Sequence, residues 1–109
     1  VTLIDKQQLF AELAARLILH AIDQGYQVTL GHAERSREEA VRLGFPNSNH
    51  TRRLAIDLNL FRNGRYLGRS EDHQPLGEWW KTRHPLCRWG GDFSRPDGNH
   101  YSLEHEGVR

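Results

Sequence analysis

The sequence predicts an α+β domain, with N-terminal helices packed on a small, mainly antiparallel sheet. Three observations predict it. Residues 5–24 carry apolar side chains at helical spacing. Residues 54–61, LAIDLNLF, alternate between apolar and small or polar side chains, the period of a strand. Asn63-Gly64 follows that strand directly and is the strongest short signal for a two-residue hairpin.

The first helix places Leu9, Phe10, Leu13, Ala14, Leu17, Ile18, Ala21 and Ile22 on one apolar face. Asp5 and Gln8 are spaced as a capping box, and Gly25 is a C-terminal stop. Tyr26, Val28 and Leu30 alternate with polar residues and read as a strand. Residues 31–35 connect it to a short second helix, opened by a Ser36/Glu39 capping box and ended by Gly44. Residues 45–53 form a loop rich in turn formers, Pro46 to Asn49. In the strand that follows, Leu54, Ile56, Leu58 and Leu60 share one face, while Ala55, Asp57 and Asn59 share the other. Its hairpin partner lies around Tyr66. Residues 75–83 read as a helix with Pro75 near its start. RWGGDF (88–93) and HYSL (100–103) read as short strands around a turn at RPDG.

At 109 residues the chain is one domain, residues 1–109, long enough to bury a core. Its net charge of +1 is no footprint for nucleic acid. A single cysteine, Cys87, rules out an internal disulfide and any multi-cysteine zinc site. No run approaches the roughly 20 apolar residues of a membrane span. The apolar stripe near the start is broken by Glu12, Arg16 and His20, unlike a signal peptide. Histidine is the outlier, with seven residues, and makes a metal site of histidines and carboxylates possible.

Asp57 is the residue that needs explaining. A carboxylate on a half-buried strand, beside small Ala55 and polar Asn59, suits a lined cleft. His50 lies just before the strand and can fold back over it. A catalytic zinc takes three protein ligands and keeps one open position. His50 and Asp57 supply two, and His100, at the start of the last strand, is the candidate third. Asp97, three residues before His100, is placed to move a proton beside the metal. Each residue alone has an ordinary reading, as a hydrogen-bonded carboxylate or a satisfied interior histidine.

Together the segments SNHTRRLAID (48–57) and DGNH (97–100) resemble motifs of the zinc D-Ala-D-Ala carboxypeptidases and phage L-alanyl-D-glutamate peptidases. The resemblance runs from about Gly31 to His105. It implies that His50, Asp57 and His100 hold Zn2+, and that Asp97 is the base that activates the zinc-bound water. It also implies that Arg35, in GHAERSREEA, polarises the substrate carbonyl. Ser48 is a candidate to orient His50. One departure is Arg53, where the family often has glycine.

The resemblance implies a zinc metallopeptidase acting on the peptide stem of bacterial peptidoglycan. The expected cut is the L-Ala–D-Glu bond, in the manner of a phage or prophage endolysin. Removal of terminal D-Ala is the alternative. Arg35, Arg52 and Arg53 would border a site for stem carboxylates. The expected protein is a monomer made in the bacterial cytoplasm that acts on the cell wall, without nucleic acid or membrane insertion. Two other classes compete. Hedgehog signalling domains resemble the same fold and hold such a site in a binding role, but a purely structural site needs no base at Asp97. A metal nuclease is suggested by Asn49-His50, Asn99-His100 and nearby arginines, but its residues would be gathered in one compact unit. The tryptophans are expected beneath the cleft. His105 is expected in solvent, and His20 is expected not to be a ligand.

Overall fold

The computed structural model describes residues 2–31 and 52–109. The chain runs through α1 (Leu3–Asp23), β1 (Gln27–Leu30), β2 (Ala55–Arg62) and β3 (Arg65–Leu67). A 3-10 turn at Ser70–His73 leads into α2 (Gln74–Lys81). β4 (Cys87–Trp89), a second 3-10 turn (Gly90–Asp92) and β5 (His100–Leu103) complete it. The expected helix from Ser36 to Gly44 lies outside the described residues.

α1 starts earlier than the sequence reading placed it. Thr2, not Asp5, is the N-cap. Its hydroxyl accepts from the Asp5 amide and its own amide donates to the Asp5 carboxylate, both at 3.2 Å. The reciprocal pair satisfies two first-turn donors, so the helix gains most of a turn. Phe10, Leu13, Ala14, Leu17 and Ala21 are buried, and Leu9 and Ile18 pack beside them. Ile22, expected on that face, is 53% exposed, because the buried stripe ends at Ala21.

β2 organises the sheet. It pairs antiparallel with β1 along Leu58–Phe61. Its other edge is shared, with β5 along Ala55–Asp57 and β3 along Leu60–Arg62. β4 closes the far side against β5. Asn63 and Gly64 both take positive φ, 52° and 76°, as a primed hairpin turn requires. Leu54, Ile56, Leu58 and Leu60 are all buried against the core, as their alternation predicts. Trp80 is the centre of that core. Its ring meets Phe10 and Tyr101 edge-on, at 6.0 and 6.1 Å, and its indole N–H donates to the carbonyls of Arg88 and Ser102.

RWGGDF is not one strand. Pairing with β5 stops at Trp89↔Tyr101, and the chain turns at Gly90. A side chain at Gly90 would begin 2.0 Å from the Asp97 carbonyl oxygen. The glycine therefore lets the Asp97 turn lie directly on the backbone. No described helix is long and apolar enough to cross a membrane.

Candidate metal centre

The site is built on the sheet face opposite α1. Asp57 on β2 stands directly across from His100 on β5. The adjacent Leu58 amide donates to the Asn99 carbonyl at 3.0 Å, which makes Asp57↔His100 a non-hydrogen-bonded pair. In such pairs the side chains approach most closely. Asp97 comes from the turn that leads into β5. Its amide donates to the Gly90 carbonyl, and its carbonyl accepts from the His100 amide. Three donor groups thus converge: ligand atoms of Asp57, Asp97 and His100 lie within 4.8 Å of one another.

Burial is graded across the cluster. The side chains of His100 and Asp57 are 7% and 14% exposed, whereas Asp97 is exposed. Phe93 covers one side of the imidazole, with ring centroids 5.3 Å apart. The His100 Nδ1 and Asp57 Oδ1 atoms are 3.7 Å apart. That is too long for a hydrogen bond. It is close to the roughly 3.3–3.5 Å that separates two ligands of one tetrahedral ion with bonds of about 2.0–2.2 Å. The donor set, one imidazole nitrogen and carboxylate oxygens, is one that zinc accepts. The described residues therefore fit a divalent ion.

Of the residues singled out in the sequence, Asp57, Asp97 and His100 meet. His50, Arg35 and Ser48 lie outside the described residues. Arg53 takes φ 59°, the left-handed region that glycine tolerates best. Trp80 and Trp89 are buried as expected, while Trp79 is half-buried and stacks on His20 at 4.0 Å. His105 does not stand in solvent. Its side chain is 14% exposed, beneath Lys6 Nζ of α1 at 3.1 Å.

The sequence reading missed the support beneath Asp97. The Trp89 indole N–H donates to the Gly98 carbonyl at 2.7 Å, and the Gly98 amide donates to Ser70 Oγ at 3.0 Å. Only the GG doublet after Trp89 hinted at a close approach there. A polar cavity of about 200 Å³ adjoins Asp97, with Tyr66, Arg69, Ser70, His73 and Asn99 among its walls.

A small α+β domain carries two carboxylates and an imidazole that converge on its antiparallel sheet and could together hold a metal ion. The match to known proteins is narrower. Residues 44–103, more than half of the chain, match the D-alanyl-D-alanine carboxypeptidase family, and the chain belongs to that family of peptidases. No curated protein matches it significantly. The crystal structure of the Serratia marcescens L-Ala D-Glu endopeptidase ChiX is similar, with a TM-score of 0.68 and 21% identity. The likeness covers 86% of this chain and 79% of that one, and at this identity it establishes the fold.

Proposed function

We propose that the chain is a zinc-dependent peptidase that cleaves the peptide stem of bacterial peptidoglycan at the L-Ala–D-Glu bond. The observation that carries this reading is the convergence of Asp57, Asp97 and His100 within 4.8 Å, in a chain of a peptidase family. The fold shared with an L-Ala D-Glu endopeptidase supports the choice of bond. The family description favours a second reading, removal of terminal D-Ala by the same site.

Asp57 and His100, with His50, would hold zinc. When bound, zinc supplies Lewis acidity toward water and the scissile carbonyl at neutral pH. Asp97, the exposed member, accepts the proton of the attacking water and returns it to the leaving amine. Arg35 is a fixed guanidinium charge for the carbonyl oxygen as it becomes negative. The cross-strand pairing holds Asp57 and His100 on rigid backbone, so two ligands need no rearrangement to meet an ion. The enzyme acts as a monomer on the wall of the bacterium whose cytoplasm made it, in the manner of a phage or prophage endolysin.

Mass spectrometry of purified peptidoglycan, digested with zinc-loaded protein, tests the reading. The expected products are fragments that begin at D-Glu, absent with Asp97→Ala, which still binds zinc. Released D-Ala would move the cut to the second reading. No new fragment from the zinc-loaded wild type would leave a zinc-holding binding module.

A further inference from the structure

The turn that carries Asp97 is tied down through both backbone polar groups of a single residue. Gly98, the next residue, is buried. Its carbonyl accepts from the Trp89 indole N–H at 2.7 Å, and its amide donates to Ser70 Oγ at 3.0 Å. A Cβ on Gly98 would lie 2.5 Å from Ser70 Cα and 2.8 Å from the Ser70 carbonyl oxygen, so the two segments touch backbone to backbone. Asp97 itself is tied through its amide to Gly90. The three anchors come from different elements: the turn before α2, the end of β4 and the turn after it.

These anchors act on the exposed member of the cluster. Asp57 and His100 sit in regular strand pairing, which fixes their backbone without help. Asp97 lies in a turn, where the backbone has no ladder to hold it. A base must stand within hydrogen-bond reach of the proton that it takes, and a shift of about 1 Å can cost roughly 100-fold in rate. Trp89 also packs into the core, so its loss would disturb the fold as well as the turn. Ser70 is only half-buried, and its side chain reaches the turn through one hydroxyl, beside the backbone contact that a substitution of the side chain leaves in place.

We propose that Ser70 is a positioning residue for Asp97: its hydroxyl anchors the Gly98 amide and thereby sets where the Asp97 carboxylate stands beside Asp57 and His100. The role rests on the reading of Asp97 as the base. It is separate from metal binding, because the Ser70 hydroxyl bonds the Gly98 amide and approaches the cluster only through that residue.

The test compares Ser70→Ala and Ser70→Thr with the wild type, with Asp97→Asn alongside. Three quantities are read: kcat and KM on a soluble stem peptide, the zinc Kd by titration, and amide hydrogen exchange of Gly98 in the metal-free protein. Ser70→Ala is expected to speed exchange at Gly98 and to lower kcat by about 10- to 100-fold, with KM and zinc Kd within about 2-fold of wild type. Ser70→Thr, which keeps the hydroxyl, is expected to restore most of kcat and the Gly98 protection. Wild-type kcat in Ser70→Ala, with Asp97→Asn inactive, would overturn the positioning role and leave Asp97 as the base. A rise in zinc Kd matching the fall in kcat would also overturn it, because Ser70 would then be supporting the metal. Wild-type turnover in Asp97→Asn would overturn the base assignment and the role of Ser70 with it.

Discussion

His73 and His100 are both buried, at 3% and 6% exposure, yet they face opposite chemistry. His73 Nδ1 lies 2.8 Å from the Tyr101 hydroxyl, inside the core. Burial pushes the Tyr101 phenol far above its ordinary range, so it keeps its proton while it shares a hydrogen bond with the imidazole. Burial also lowers His73 to about 4, with a smaller opposing pull from Asp72. His73 is thus a neutral ring with a neutral partner. His100 faces Asp57 at 3.7 Å, with Asp97 in the same cluster. In the proposed function this cluster would hold a cation. Burial alone does not mark a functional histidine. The partner does, and adjacent residues of β5, His100 and Tyr101, send the two histidines to opposite faces of the sheet.

The comparison breaks first at His100. His100→Ala is expected to abolish stem-peptide turnover and to remove the rise in Tm that zinc produces in the wild type. At zinc 100-fold above Kd that rise corresponds to about 2.7 kcal/mol. Thermal melts with and without zinc check this. If His100→Ala gained as much stability from zinc as the wild type, His100 would not be a ligand.

A smaller effect is expected from acid, at His73. A histidine that is neutral when folded binds its proton more readily when unfolded, so stability is full above about pH 6.5. It is lost as pH falls from there toward about 4, because a charged imidazolium is poorly solvated in the buried site. The shift sets an upper bound of about 3 kcal/mol. Urea melts of metal-free protein between pH 7 and 4 should show this slope. His73→Gln, which cannot titrate, should flatten it. An equal slope in that variant would place the acid sensitivity elsewhere.

The smallest expected effect lies in the approach to β2. Arg53 holds φ 59° at a cost that glycine avoids. Arg53→Gly should raise stability by no more than about 1 kcal/mol, since glycine also loses more entropy on folding. The zinc Kd should not change. A loss of more than about 1 kcal/mol in urea melts would mean that contacts of the arginine side chain outweigh the backbone strain.

Much of this was legible in local pattern. Alternation from Leu54 to Leu60 is a backbone property, and it assigned Asp57 to the face away from the core before any contact was known. Asn63-Gly64 named its hairpin because few residues tolerate two successive positive φ angles. The helix start was misplaced because Asp5 and Thr2 both suit a cap, and the choice depends on which reciprocal bond forms. Residues 88–93 looked like one strand because Trp89 and Phe93 favour strands. The break at Gly90 comes from the Asp97 turn lying against it, a long-range contact that no local window contains.

The sequence by itself determined which residue types are available for the chemistry and which strand face they occupy, because side-chain alternation follows from backbone geometry. The family resemblance added their order along the chain. Only the tertiary structure decided that Asp57 meets His100, since that depends on the register of β2 against β5. It alone distinguished His73 from His100, since the two differ in partners rather than in burial. It also revealed Ser70 and Trp89 behind Asp97, because hydrogen bonds between segments 9 and 28 residues apart leave no periodicity to read.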